Sequence, residues 1–76
     1  MQRGNGWERN VWTGMDKLRV SENERVLRQE FHNPRSFLYY AEFWGDFSLG
    51  FPVRGPWRKT LAASKRDLAK LRKENP

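Results

Sequence analysis

Arg58, Lys59, Lys65, Arg66, Lys70, Arg72 and Lys73 recur near the C-terminus at intervals that repeat on a helix. Their chemistry is that of anion contact: rows of ammonium and guanidinium groups can follow a phosphate backbone, a patch of acidic protein or an anionic membrane face. Arg58, Lys65 and Arg72 fall on one flank of a helical wheel. Lys59, Arg66, Lys70 and Lys73 fall on the far face, with Ala62 and Ala69 between the rows to permit close approach. The field is local. Up to Val53 seven basic residues balance seven acidic ones, so the whole net charge of +6 comes from the remainder, where eight basic residues meet only Asp67 and Glu74.

The second group with chemical content is aromatic. Four tryptophans, five phenylalanines and two tyrosines sit in a chain whose hydrophobic content is only 37%. Such rings bury much area with a polar handle and are enriched at interfaces. Trp7, Trp12, Phe37, Tyr40, Phe43, Trp44, Phe47 and Phe51 are spread along the chain like docking anchors for a partner protein.

No constellation for catalysis is evident. His32 is the only imidazole, beside Asn33-Pro34, where it reads as an exposed or capping histidine. The absence of cysteine excludes disulfides and thiolate zinc sites, and no catalytic residue, cofactor or metal is expected. A chain of 76 residues gains little from its own core, about 3–5 kcal/mol at this size. A larger protein assembly is therefore the expected source of further stability.

These groups need elements to hold them. The pattern predicts a mainly α protein: a small single domain of two to three short helices, partly extended, with an irregular arm at 1–14, a helix plus aromatic docking segment at 15–53, and a basic amphipathic helix at 54–76. Ser21 stands three residues before Glu24, the spacing of a capping box, and Val26, Leu27 and Phe31 follow as a stripe for a helix over about 22–32. Met15 to Val20 reads as strand or early turn. Asn33 as cap, Pro34 as first helical residue and Gly45 as stop predict a helix over 34–44. The rival is an α+β arrangement with a hairpin at 37–53, turning at Gly45-Asp46 and pairing Tyr40 with Phe51 and Glu42 with Leu49. Pro56 then opens a helix over 57–73, on which Trp57, Leu61, Leu68 and Leu71 share about 80° of arc around Ser64.

The expected function is that of a non-enzymatic accessory subunit. It docks through aromatic residues onto a multi-subunit complex, an energy-transducing complex of an organelle such as the mitochondrion or a ribonucleoprotein, and turns its basic helix to RNA or another polyanion. The alternative is an autonomous nucleic-acid-binding or regulatory protein, of the small viral kind. No apolar run approaches the roughly 18 residues of a membrane span and the N-terminus lacks an apolar signal region. An intracellular location is expected, in cytoplasm or an organelle interior; peripheral membrane contact is compatible with the pattern.

Overall fold

Among the described residues between Trp7 and Arg54 the regular structure is strand, which overturns the mainly α expectation. The computed structural model describes residues 6–45 and 50–74. Strands β1 (Trp7–Arg9), β2 (Asp16–Ser21), β3 (Glu24–Phe31), β4 (Ser36–Phe43) and β5 (Val53–Arg54) form one antiparallel sheet, paired in chain order. Helix α1 (Leu61–Glu74) lies across β3 and β4 on one face. Among the described residues α1 is the one helix, in place of the two or three expected.

The supposed helix over 22–32 is a turn and a strand because its apolar residues are wanted on two sides. In β3 successive side chains alternate between faces. Val26 lies between Leu18 of β2 and Ala41 of β4 on the helix side, whereas Leu27 lies between Lys17 and Tyr40 on the other. The capping-box pair is present but closes the β2–β3 turn: Ser21 Oγ donates to Glu24 Oε1 at 2.8 Å.

The expected helix over 34–44 meets the same fate. Asn33 and Pro34 occupy the β3–β4 turn, with Asn33 at φ 64, a left-handed conformation that asparagine tolerates. Tyrosine and phenylalanine suit a pleated surface. The ring-rich segment is a strand apolar on both faces, with Tyr39, Ala41 and Phe43 on the helix side and Leu38 and Tyr40 on the other. The hairpin alternative places strand character correctly at 37–43 but not its partners. The long partner is β3, from Glu24↔Phe43 to Phe31↔Ser36, and β5 pairs as Glu42↔Arg54 and Phe43↔Val53. The proposed turn at Asp46 lies outside the described residues.

The expected irregular arm is a strand followed by an ordered loop. β1 pairs with β2 as Trp7↔Leu18. The loop is held by Asn10, whose backbone N–H donates to the Met15 carbonyl at 2.8 Å and whose Oδ1 accepts from the Trp12 N–H at 2.8 Å. Gly14 supplies the positive φ of 74° the loop requires. Residues 1–5 lie outside the described residues.

The basic helix exists, starting later than expected. Residues before Leu61 extend the sheet: the Arg58 N–H donates to the Tyr39 carbonyl and the Tyr39 N–H to the Arg58 carbonyl, at 2.6 and 2.8 Å. Thr60 is the N-cap, its Oγ1 accepting from the Ala63 N–H at 3.2 Å. Thr60→Ala is expected to cost about 1 kcal/mol, read as a lower urea midpoint with unchanged slope. Leu61, Ser64, Leu68 and Leu71 do form the inward stripe, joined by Asp67, while Trp57 leaves it for the sheet.

The apolar core is thin, with Val26, Ala41, Phe43 and Leu68 as its buried members. Buried beside them are four carboxylates, each held by arginine. Asp16 accepts from Arg9 at 2.9 Å and Arg28 at 2.8 Å, tying β1, β2 and β3 together. Glu42 faces Arg25 at 3.5 Å and Arg54 at 3.3 Å, tying β3, β4 and β5. Glu24 binds Arg72 of the helix, and Asp67 takes Arg58 through two hydrogen bonds of 2.8 and 3.0 Å. Such pairs keep burial of a carboxylate from being ruinous, since a buried charge persists only when paired and hydrogen-bonded. Burial alone would push the Asp16 carboxyl up, but the hydrogen bonds from Arg9 and Arg28 outweigh it and hold it below the usual range.

Candidate functional site

The ion pairs divide the C-terminal cations into two groups. Arg58 and Arg72 belong to the pairs that fasten α1 to the sheet, and Arg54 to the pair that fastens β5. Lys59, Lys65, Arg66, Lys70 and Lys73 are exposed and make no ion pair among the described residues. With Leu68 and Ser64 turned inward, Arg66, Lys70 and Lys73 follow one another at i, i+4 and i+7 along the outward side of the helix, opposite the sheet. The three form a stripe of exposed cations along the helix. Its macrodipole is also complemented, since Arg72 and Lys73 stand in the last turn.

The aromatic anchors scatter. Trp12 is 93% exposed at the β1–β2 loop, and Phe51 is exposed ahead of β5. Trp7 and Phe37 are half-buried on the helix side of the sheet, where the Arg28 guanidinium stands 4.1 Å from the Trp7 ring and 4.8 Å from the Phe37 ring. Phe43 is core. Trp44 is half-buried and its Nε1 donates to Glu42 at 3.1 Å. Tyr40 lies on the open face of the sheet, and Phe47 falls outside the described residues.

That open face carries residues that sequence reasoning did not select. Cross-strand register puts Glu8, Lys17, Leu27 and Tyr40 in one row and Arg19, Arg25, Glu42 and Arg54 in the next. Trp57, half-exposed, continues the first row by standing edge-on to Tyr40 with ring centroids 4.8 Å apart. A cavity of about 380 Å³ opens there, lined by Glu8, Lys17, Leu27, Tyr40, Glu42 and Arg54 and by the β1–β2 loop at Thr13 and Met15. Burial raises the Tyr40 hydroxyl above its ordinary pKa, with the Arg54 charge opposing the shift. The alternation of Lys17 and Arg19 with Leu18 and Val20 was the sequence signal for this face; a two-residue period says nothing, however, about which strand lies alongside.

His32 stands exposed in the β3–β4 turn. No helix among the described residues is long and apolar enough to cross a membrane. Comparison with protein-family models, with curated proteins and with solved structures returns no match.

Proposed function

We propose that this chain is a non-enzymatic accessory subunit of an intracellular assembly of the ribonucleoprotein kind, laying α1 against a polyanionic backbone while exposed aromatic residues, Trp12 foremost, engage neighbouring protein. The observation that carries the reading is that Lys65, Arg66, Lys70 and Lys73 of α1, and Lys59 just before it, have no carboxylate partner, whereas every buried carboxylate is claimed by an arginine, both among the described residues. Cations that serve the fold are paired. On α1 the cations left over include Arg66, Lys70 and Lys73, which point outward together, as phosphate contact needs.

The test is salt dependence. Binding to a double-stranded RNA is expected to weaken steeply with salt through counterion release. Replacing Lys65, Arg66, Lys70 and Lys73 with glutamine, a comparable helix former, is expected to reduce the slope of log K against log salt by up to roughly 3 to 4 while the circular dichroism spectrum stays unchanged. Wild-type binding insensitive to salt, or a slope untouched by the four substitutions, would overturn the assignment. A second reading, an autonomous nucleic-acid-binding protein, is favoured by the way α1 covers Val26 and Ala41 and completes a core within this one chain. Cooperative unfolding of the isolated chain would favour that second reading over the subunit.

A further inference from the structure

We infer that the open face of the sheet is a binding site for single-stranded nucleic acid, separate from the helical stripe on the opposite side of the molecule. The inference starts from register. Across the strands run two parallel rows, one cationic (Arg19, Arg25 and Arg54, with Glu42 between the last two) and one apolar and aromatic (Leu27, Tyr40 and Trp57, followed by Lys17 and then Glu8, whose charges stand 3.9 Å apart). The rows are two residues apart along each strand, about 7 Å, and neighbouring strands are about 4.8 Å apart. A base and its own phosphate are separated by a distance of that order. A single strand crossing the β-strands can therefore set phosphates along the arginines and bases along the rings.

Each row has the chemistry for its part. Arg19 is exposed and makes no ion pair among the described residues, donating only to the Ser21 carbonyl at 3.4 Å. Arg25 and Arg54 hold Glu42 yet keep 32% and 58% of their side chains in solvent, and a guanidinium has five donors to share. Their hold on Glu42 removes its repulsion of a phosphate. The cavity over Leu27 and Tyr40 has room for a base, and half of the Trp57 surface is open. Aromatic platforms inside a positive groove are how unpaired strands are bound without sequence preference. A duplex fits poorly, because its bases are already stacked and cannot reach the rings. A second copy of the chain fits poorly too: four cations against two carboxylates on this face would meet the same excess.

The experiment uses the full chain and a labelled oligothymidylate of about 10 nucleotides, the order of a single-module site, with inorganic polyphosphate as a second probe lacking bases. The double variant Tyr40→Leu, Trp57→Leu keeps apolar bulk and is expected to weaken oligothymidylate binding by about 5-fold or more while leaving polyphosphate binding unchanged. The surface variant Lys17→Gln, Arg19→Gln, which removes nothing from the core, is expected to lower the salt slope by about 0.7 for each phosphate that is no longer neutralised. It serves as the reading if the first variant does not fold. Oligothymidylate binding that persists when the four helix cations are replaced by glutamine supports the sheet site independently of the helical one. Equal affinity for the two probes with no effect of the ring substitutions would overturn it. So would loss of all oligothymidylate binding in the helix variant, or a dimer in sedimentation that buries this face.

Discussion

Asp16→Ala is expected to lower the unfolding free energy by about 3 kcal/mol, near the lower end for breaking a buried ion pair from one side. The carboxylate is 5% exposed and joins three strands through Arg9 and Arg28, whereas Arg28, with 19% of its side chain in solvent, would be left inside without a counterion. The same group sets a pH dependence. Its pKa is lower folded than unfolded, so its contribution is complete above the ordinary value near 3.8 and is lost as the pH falls from there through the folded value. Urea unfolding of the wild type should therefore weaken below about pH 4, and Asp16→Asn should flatten that part of the profile. A variant as stable as wild type at neutral pH would remove Asp16 from the centre of the fold.

Leu68→Ala is expected to cost about 3 kcal/mol by the combined loss of buried methyl groups and the cavity they leave. Leu68 is the helix residue buried in the apolar cluster with Val26 and Ala41, and Leu61 and Leu71 are only partly covered around it. A domain of this size has about 3–5 kcal/mol to lose. The variant should accordingly be largely unfolded at 37 °C, seen as loss of both helix and sheet signals in one transition. Loss of the helical signal with the sheet retained would mean that the strands stand without α1, and Leu68 would not be part of the core that holds them.

The helix at the C-terminus was legible because its signals are local: Leu61, Leu68 and Leu71 repeat at the helical period, and the outward cations follow from the same wheel. Only its start was misjudged, since Pro56 and Thr60 are both good openers and the choice fell to the pairing of Arg58 with Tyr39. The Ser21–Glu24 spacing, Asn33-Pro34 and the ring-rich run at 37–43 predict helix starts and a helix, where the structure has two β turns and a strand. Each is compatible with a hairpin, and short-range signals cannot weigh a strand whose stabilising partners lie elsewhere in the chain.

What the residues settle alone is therefore the confinement of net charge after Val53 and the helical period of Leu61, Leu68 and Leu71. Tertiary structure decided the rest. Val26 became core because Leu18 and Ala41 flank it, Arg58 and Arg72 became ties because Asp67 and Glu24 are buried within reach, and Lys17, Arg19, Arg25 and Arg54 came to share one face because register aligned them. The physical reason is that a helix satisfies its backbone within one segment, whereas a strand's hydrogen bonds and its neighbours on each face are supplied by residues distant in sequence.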